Sequence, residues 1–282
     1  MRRIQRVAVL RDALGSVRAR GQRVGFVPTM GFLHEGHLRL VDEARRQADV
    51  VVMSIFVNPL QFGPNEDLAR YPRDLDGDAT KAESRGVDVL FVPDAADIYP
   101  RPPRVVVSAR ALAARWEGAA RPGHFEGVLT VVAKLFHIVE PHVAIFGQKD
   151  IQQATLVRAM VEDLDLPIEI VVVPTVRESD GLAMSSRNSY LDAAARTRAL
   201  GLSGALRAVQ TAYAAGERSA ATLETVTRAH LTESGISEVD YVAIADPATL
   251  EPVSHAAAGT IVALAARVGR TRLIDNTILG AS

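Results

Sequence analysis

The sequence predicts an α/β fold, with a parallel sheet domain first and a smaller α+β domain at the carboxyl end. Short apolar runs rich in β-branched residues recur along the first part of the chain, as in residues 49–57 (DVVVMSIFV), and such runs suit strands buried on both faces of a parallel sheet. Segments with helical spacing of apolar residues separate these runs, which indicates right-handed strand–helix–strand crossovers. After residue 187 an Ala-rich helical segment and a second helix precede three consecutive strand-like runs, which favours a separate α+β domain.

The predicted elements follow one another in a regular order. In the first domain, strands are predicted at residues 23–29, 49–57, 87–93, 142–147 and 168–174, and helices at residues 36–48, 74–86, 127–140 and 150–164. In the second domain, helices are predicted at residues 191–215 and 220–233, and strands at residues 239–245, 260–268 and 271–275. We place the boundary near Val176, so the predicted domains are residues 1–175 and 176–282.

The composition excludes several classes of protein. The 282 residues carry a formal net charge of −1, which does not suit a chain that is basic overall and coats nucleic acid. The sequence has no cysteine, which excludes disulfides and thiolate metal sites and fits a reducing compartment. The apolar stretch of residues 256–266 is shorter than the ~20 residues of a membrane span, and no stretch of signal-peptide type follows Met1. We expect a soluble cytoplasmic protein that binds neither nucleic acid nor membrane.

Two histidines lie where a predicted strand becomes a helix, in the stretch PTMGFLHEGH. The first N–H groups of that helix and its dipole favour an anion, and His34 and His37 can donate hydrogen bonds to the same anion. Gly31 and Gly36 allow the backbone to turn tightly and to approach a ligand. The stretch therefore predicts a cradle for a nucleoside triphosphate. Structural histidines and a metal site are the alternatives, although the spacing is not the zinc-binding His-Glu-x-x-His pattern.

Two further polar clusters follow other predicted strands. FVNPLQF contains Asn58 and Gln61, whose amides suit a small polar substrate with hydroxyls or, alternatively, an ordinary turn. FGQKDIQQ contains Lys149, a point charge that can meet a phosphate, and Asp150, which can cap the helix or accept from ribose hydroxyls. Because ligands bind beyond the carboxyl ends of parallel strands, we expect these groups on one rim of the sheet.

The segment after the last strand of the first domain also carries donors for an anion. DGLAMSSRN places Ser185, Ser186 and Arg187 in a row, as a clamp for a leaving pyrophosphate or as a polar interdomain linker. RPGHFEGV adds Arg121 and His124 before a helix, and the role of His124 stays open. The residues alone therefore predict a nucleotide-dependent α/β enzyme.

Seven motifs together resemble the pantoate–β-alanine ligase (pantothenate synthetase) family. They are, in chain order, PTMGFLHEGH, SIFVNPLQF, YPRDLDGD, EGAARPGHFEGV, FGQKDIQQ, DGLAMSSRN and RLIDN, and the likeness spans residues 24–276. The histidine signature, of the HxGH type, is shared with the wider nucleotidyltransferase superfamily. The resemblance implies a Rossmann-like first domain, a carboxyl-terminal lid domain and a homodimer. It further implies ATP- and Mg²⁺-dependent condensation of (R)-pantoate with β-alanine through a pantoyl-adenylate, with AMP and diphosphate released.

The resemblance also implies roles for individual residues. The ATP-binding positions are Met30, Gly31, Phe32, Leu33, His34, Glu35, Gly36, His37, Gly147, Gln148, Lys149, Asp150, Val176, Met184, Ser185, Ser186 and Arg187. The expected catalytic residues are His37, His34, Lys149 and Arg187. The expected substrate-binding residues are Gln61 and Gln153, which match pantoate-binding glutamines, and Asn58, which is added for its amide chemistry alone. The acidic run that some relatives place near magnesium is Asp76-Gly77-Asp78 here, and since Gly77 has no ligand atom, Asp78 is expected beside the metal.

Two other functions remain open from the sequence. A related HxGH nucleotidyltransferase acting on another small substrate would leave a nucleotide joined to its product. A nucleotide-binding regulator would lack catalysis, although the chain retains every polar group expected of the enzyme at His34, His37, Lys149, Asp150, Ser185, Ser186 and Arg187.

Overall fold

The computed structural model describes residues 1–64 and 66–281. They form two compact units, one of Met1–Gly147 with Leu156–Pro174 and one of Gln148–Thr155 with Thr175–Ser282. The change of unit after Pro174 lies beside the boundary expected near Val176. Residues Gln148–Thr155 were expected in the first domain but belong to the second unit, because hydrogen bonds tie their first residues to its last strand.

A six-stranded parallel sheet forms the centre of the first unit. Its strands are β1 Arg2–Ile4, β2 Val24–Thr29, β3 Val50–Ile55, β4 Val89–Phe91, β5 Val143–Gly147 and β6 Glu169–Val173, in the order β1-β4-β3-β2-β5-β6. Every neighbouring pair is parallel, which confirms the predicted α/β architecture. Strand β1 was not predicted, because three residues are too few to show a periodicity.

Helices connect the strands. They are α1 Val7–Ala19, α2 Glu35–Gln47, α3 Leu75–Ser84, α4 Ala95–Ile98, α5 Arg110–Ala113, α6 Glu117–Ala120 and α7 His124–Val139. Helix α8, Ile151–Asp163, begins in the second unit and ends in the first. Helix α1 and the short helices α4 to α6 were not predicted. Short 3-10 turns form at Pro59–Gln61, Leu68–Arg70, Gln148–Asp150 and Ser186–Tyr190.

The central strands are apolar on both faces because helices cover both faces of the sheet. On one face, Val27 of β2 and Met53 of β3 share a core with Val41 of α2. On the other face, the ring of Phe26 packs edge-on against Phe136 of α7, with ring centroids 6.5 Å apart. Successive residues of a strand point to opposite faces, so the run of apolar residues in β2 serves both cores.

The connections of the sheet reverse direction between β2 and β5. From β2 the chain proceeds to β3 and β4 on one side, and it later adds β5 and β6 on the other side. Strands β2 and β5 are therefore neighbours, with Gly25 opposite Val143. In open α/β sheets the crevice at such a switch point, outside the carboxyl ends of the strands, is the usual ligand site. The histidine stretch follows β2 at this point.

The second unit is an α+β domain, as predicted. It contains α9 Ala193–Ala214, α10 Ala220–Glu233 and an antiparallel sheet of β7 Glu238–Ala245, β8 Ile261–Val268 and β9 Thr271–Ile278. The side chains of Asp192 and Ser219 accept hydrogen bonds at the N-termini of the two helices and so cap them. Strand β9 continues three residues beyond its predicted end, and this extension contains Asn276.

Candidate active site

The two histidines of the PTMGFLHEGH stretch lie side by side at the start of α2. His34 is the N-cap residue, His37 lies in the first turn, and their ring centroids are 4.0 Å apart. The backbone N–H of His34 donates to Nδ1 of His37 at 3.3 Å. Because Nδ1 accepts, the neutral ring of His37 carries its proton on Nε2. The pair is therefore placed at the positive end of a helix dipole, and Nε2 of His37 is a donor.

Asp78 and Lys81 of α3 hold the loop between β2 and α2. Gly31 has a φ of +85° and Phe32 a φ of +52°, a region that non-glycine residues rarely adopt. Asp78 accepts from the N–H of Phe32 at 2.7 Å with Oδ2 and from the N–H of Leu33 at 2.6 Å with Oδ1. One turn further along α3, Lys81 donates to the carbonyl of Leu33 at 2.8 Å. These bonds fix the turn that leads into α2.

The two glycines in the expected ATP-binding segments differ in their surroundings. A Cβ at Gly31 would lie 2.9 Å from Asp78 Oδ2 and 2.9 Å from Ile55 Cγ2, and the backbone there has a positive φ. A Cβ at Gly147 would meet nothing within 4 Å. The loop of the histidines therefore requires glycine for its own packing, whereas the packing around Gly147 does not require glycine.

The expected role of Asp78 as a neighbour of magnesium does not fit the structure. Asp78 is only 1% exposed, and each carboxylate oxygen already accepts a backbone N–H. Burial raises the pKa of Asp78, while the hydrogen bonds from Leu33 and Phe32 oppose this. In the described part of the chain, no group of three or more histidine, cysteine, aspartate or glutamate side chains is placed to hold a metal. Asp78 is a structural group of the loop.

Glu35, expected among the ATP-binding residues, directs its carboxylate to an arginine. Arg85, which follows α3, donates to Glu35 at 2.5 Å and to Asp42 at 2.8 Å. This guanidinium offsets a negative charge that would otherwise oppose an anion at the start of α2. The N–H groups of Glu35 and Gly36 belong to the first turn, which intrahelical carbonyls do not reach. The expected contribution of these residues to ATP binding is therefore through the main chain.

Asn58, expected to bind substrate, directs its side chain to Gln61 and to three other groups of the protein. Its Nδ2 donates at 3.1 Å both to Gln61 Oε1 and to the carbonyl of Gly127. Its Oδ1 accepts from the N–H of Leu60 at 3.3 Å and from the hydroxyl of Tyr99 at 2.9 Å. The side chain is 1% exposed, and its hydrogen-bonding capacity is filled by the protein.

The side chain of Gln61 connects the turn after β3 to the loop after β2. Its Oε1 accepts from Asn58, and its Nε2 donates to the sulfur of Met30 at 3.2 Å. Met30 directly precedes the strained turn of the histidine loop. The structure therefore brings together two of the expected sites, the ATP-binding loop and the substrate-binding glutamine.

His124 holds the backbone of Gln61, and its two contacts fix which ring nitrogen carries the proton. Its Nδ1 lies 2.9 Å from the carbonyl oxygen of Gln61, and its Nε2 lies 3.0 Å from Arg121 Nη1. Because a guanidinium only donates, Nε2 accepts and the Nδ1–H donates to the carbonyl. Burial, and then the charge of Arg121, lower the pKa of His124 to about 4. Arg121 is in turn paired with Glu66 at 2.6 Å.

In the second unit, the expected phosphate-binding lysine lies in a 3-10 turn. Gln148–Asp150 forms this turn directly after β5, and α8 follows it. Lys149 Nζ is 3.9 Å from Asp150 Oδ1, an ion-pair contact too long for a hydrogen bond. Gln153 is partly buried in the first turn of α8.

The expected flexible phosphate-binding segment is a hydrogen-bonded hairpin. The N–H of Met184 donates to the carbonyl of Val176 at 3.0 Å. Gly181, with a φ of +95°, donates its N–H to the carbonyl of Glu178 at 2.8 Å and so closes the bend. The side chain of Asn188 donates to Glu178 Oε1 at 2.6 Å. The donors expected to meet phosphate therefore extend from a structured base.

Ser185, Ser186 and Arg187 form the start of a short 3-10 helix. Ser185 Oγ accepts from the N–H of Arg187 at 3.3 Å and caps the helix. A hydroxyl that accepts in this way keeps its own proton to donate. Ser186 is buried, at 8% exposure.

The sequence did not reveal the contacts through which some residues support the site. His124 was noticed only through its position before a helix, and spacing gives no sign that α7 meets the turn of Gln61. The acidic run at Asp78 was visible, but its contact with the histidine loop joins residues 45 positions apart. A pattern along the chain does not report such contacts.

The fold and the site together are typical of a nucleotide-dependent α/β enzyme, with two histidines at the switch point of a parallel sheet. The model of the pantoate–β-alanine ligase family matches residues 2–278. The chain belongs to this family and is a ligase.

Individual relatives agree with this assignment. The pantothenate synthetase of Agrobacterium fabrum is 51% identical over 281 residues, which cover 99% of this chain and 96% of the relative. The crystal structure of pantothenate synthetase from Thermus thermophilus is similar with a TM-score of 0.93 and 49% identity, over 98% of this chain and 99% of that chain. A pantoate–β-alanine ligase from Francisella tularensis, complexed with β-γ ATP and β-alanine, has a TM-score of 0.82 and 35% identity, over 99% of this chain and 97% of that one.

Proposed function

We propose that this chain condenses (R)-pantoate with β-alanine at the expense of ATP, and that it forms pantothenate, AMP and diphosphate through a pantoyl-adenylate. Membership of the family supports the overall reaction. The observation that carries the mechanism is the pair of imidazoles of His34 and His37, 4.0 Å apart at the start of α2. A helix N-terminus with two imidazoles is suited to a polyanion.

In the first step, a carboxylate oxygen of pantoate attacks the α-phosphorus of ATP. The bond from that phosphorus to the diphosphate oxygen breaks, and its electron pair leaves with diphosphate. The main barrier is electrostatic, since an anion must approach a polyanion. His34, the Nε2–H of His37 and the first N–H groups of α2 offset this repulsion. Lys149 and Arg187 are proposed to stabilise the charge that develops on the departing diphosphate.

In the second step, the neutral amine of β-alanine attacks the carbonyl carbon of the adenylate. The bond from that carbon to the AMP oxygen breaks, its electron pair leaves with AMP, and the nitrogen releases its proton to solvent. Gln61 and Gln153 are proposed to position pantoate for both steps. The support is that Asn58 and Met30 orient the carboxamide of Gln61 while His124 holds its carbonyl, so the side chain is preorganised.

The resemblance implies further properties that remain proposals. These are a Mg²⁺ requirement, a homodimer, a cytoplasmic location and a lid role for the carboxyl-terminal domain. The described helices include none that is both long enough and apolar enough to span a bilayer. Size-exclusion chromatography with light scattering tests the homodimer. If the protein is a dimer, a single species with twice the 30.3 kDa mass of the chain is expected.

The lid proposal has its own test. The segment of residues 177–188 is expected to change its accessibility when ATP binds. Limited proteolysis with and without ATP measures this. A cleavage rate in the segment that ATP leaves unchanged contradicts the lid role.

Isotope exchange tests the proposed reaction most directly. We expect labelled diphosphate to enter ATP when pantoate is present, in the absence of β-alanine. With all three substrates, free pantothenate and AMP should accumulate in equal amounts. A lack of pantoate-dependent exchange would contradict the adenylate mechanism. A stable product that retains the nucleotide would instead identify a nucleotidyltransferase, and ATP binding without turnover would identify a regulator.

A further inference from the structure

Strand β9 carries two neighbouring buried polar side chains to which the proposed function gives no role. Asp275 and Asn276, from the RLIDN motif, are 3% and 2% exposed. Neighbouring residues of a strand point to opposite faces, so the two side chains serve different segments of the second unit. Buried polar groups at this depth require hydrogen-bond partners, and those partners show what each residue does.

Asn276 binds the turn that carries Lys149. Its Nδ2 donates to the carbonyl of Gln148 at 2.8 Å and to the carbonyl of Lys149 at 2.9 Å. Its Oδ1 accepts from Gln148 Nε2 at 3.2 Å. One carboxamide therefore uses both of its N–H groups on two successive carbonyls of a turn only three residues long.

Asp275 binds the hairpin of residues 176–184, on the other face of β9. Its two oxygens accept from Arg177 at 2.7 Å and 3.1 Å, and Oδ1 also accepts the N–H of Asn276 at 2.8 Å. Arg177 in addition donates to the carbonyl of Gly181 in the hairpin. The carboxylate thus fixes the hairpin and not the lysine turn, although it is adjacent to Asn276 in the chain.

We propose that Asn276 is a positioning residue that acts through Lys149. This inference rests on the proposed function, in which Lys149 meets the phosphates of ATP. The ammonium lies at the end of a four-carbon side chain, so a change in the backbone of the turn moves the charge. A misplacement of a catalytic group by about 1 Å can cost roughly 100-fold in rate. Because the carboxamide of Asn276 holds both carbonyls of the turn, it keeps the ammonium of Lys149 where it can stabilise the charge on phosphate.

Asn276→Asp is the sharpest variant, because it keeps the shape and places a carboxylate against two carbonyl oxygens. We expect the rate of pantoate-dependent diphosphate exchange to fall roughly 100-fold, with the KM for pantoate within about twofold of the wild type. Asn276→Ala, which leaves room for water, should show a smaller loss in the same direction. If Asn276→Asp does not fold, as judged by circular dichroism, Asn276→Ala takes its place.

Thr277→Val is the matched control on the same strand. Thr277 is also buried, and its Oγ1 accepts from Gln210 of α9 at 2.6 Å, away from the lysine turn. This variant removes one buried hydrogen bond of β9 without changing the shape of the side chain. We expect exchange activity within about twofold of the wild type, with a lowered melting temperature. If Thr277→Val loses as much exchange activity as Asn276→Asp, general damage to β9 explains the loss, and the proposal is overturned.

A double-mutant cycle with Lys149→Ala decides whether Asn276 acts through the lysine. If it does, Asn276→Asp lowers exchange roughly 100-fold in the wild type and no more than about threefold in the Lys149→Ala background. Equal effects in the two backgrounds overturn the proposal, as does an Asn276→Asp enzyme with wild-type exchange.

The wild type separates this inference from the function on which it rests. If the wild type shows no pantoate-dependent exchange, the proposed function fails. In that case the affinity for ATP is measured by calorimetric titration for the wild type, Asn276→Asp, Lys149→Ala and the double variant. The proposal stands if Asn276→Asp weakens ATP binding in the wild type but not in the Lys149→Ala background, and it is overturned if the two effects are equal.

Discussion

Asp78 Oδ1 accepts a hydrogen bond of 2.6 Å from the backbone N–H of Leu33, a residue 45 positions earlier in the chain. Through this bond and its partner at Phe32, helix α3 determines the path of the loop that carries His34. A carboxylate that the family resemblance places near a metal therefore has a different use in this fold. It provides two acceptors where a tight turn presents two buried N–H groups.

Asp78→Asn should lower the rate of adenylation, because the new amide presents N–H groups to at least one backbone N–H. A buried donor left without an acceptor costs about 1 to 3 kcal/mol, so the free energy of unfolding should fall by about that amount. Urea unfolding and diphosphate exchange measure the two effects. Asp76→Asn, at a fully exposed carboxylate on the same helix, is the control and should change neither quantity. A loss in Asp78→Asn that added Mg²⁺ restores would contradict the structural role.

His37→Ala should lower the exchange rate roughly 100-fold, which corresponds to about 3 kcal/mol of transition-state stabilisation. Pantoate binding should change little, because His37 is proposed to act on the charge that develops at phosphate. Calorimetric titration of pantoate and exchange kinetics separate the two. Equal losses in both quantities would show uniform binding and remove the catalytic role. His255→Ala, at an exposed histidine of the second unit, is the control.

His124, a partly buried histidine beside Gln61, predicts a pH dependence of stability. The pKa of His124 is about 4 in the folded protein and near 6.5 when unperturbed, so the unfolded chain binds the proton more readily. Its contribution is complete above pH ~6.5 and is lost as the pH falls toward about 4. The groups around the ring are Arg121, Glu117 and Glu66. At about 1.4 kcal/mol per pKa unit, the loss amounts to about 3 kcal/mol.

Comparison of the wild type with His124→Gln isolates this contribution. Urea unfolding at pH 7 and pH 4.5 should show a fall in stability that is about 2 to 3 kcal/mol larger in the wild type, since glutamine does not titrate. His255→Gln should behave as the wild type, because its side chain is exposed. Parallel pH curves for the wild type and His124→Gln would show that His124 does not remain neutral in the folded protein.

Two glycine variants should change stability in opposite directions. A Cβ at Gly127 of α7 would lie 2.3 Å from the carbonyl oxygen of Leu60, and backbone atoms cannot yield as a flexible side chain can. Gly127→Ala should therefore cost about 1 to 3 kcal/mol and raise the KM for pantoate, because it displaces the turn of Gln61.

Gly15→Ala is the matched change. Gly15 lies in α1, where an added Cβ would meet nothing within 4 Å, and alanine favours the helix by about 0.5 to 1 kcal/mol. Melting temperatures and steady-state kinetics measure both variants. A destabilised Gly15→Ala or an unaffected Gly127→Ala would contradict the packing described around these two positions.

The amino-acid sequence by itself determined the class of fold and the position of the histidine loop within it. Buried strands are recognisable by continuous apolar runs such as that of β3, and helices by their spacing, because both patterns are local. The histidine loop was located for the same reason, since a strand, a glycine turn and a helix start are neighbours in the chain. Strand β1 and helix α1 were not predicted. Strand β1 has only three residues, which are too few to show a periodicity.

The tertiary structure alone decided which polar residues support the site and which can serve a ligand. Asn58 and Asp78 have the chemistry of ligand-binding groups, yet both are 1% exposed and bonded to groups of the protein itself. His124 and Asn276 gain their roles from contacts with segments 63 and more than 100 positions away. Whether a polar side chain binds its own protein or a ligand depends on which atoms the fold brings within about 3 Å of it, and residue type and spacing do not contain that information.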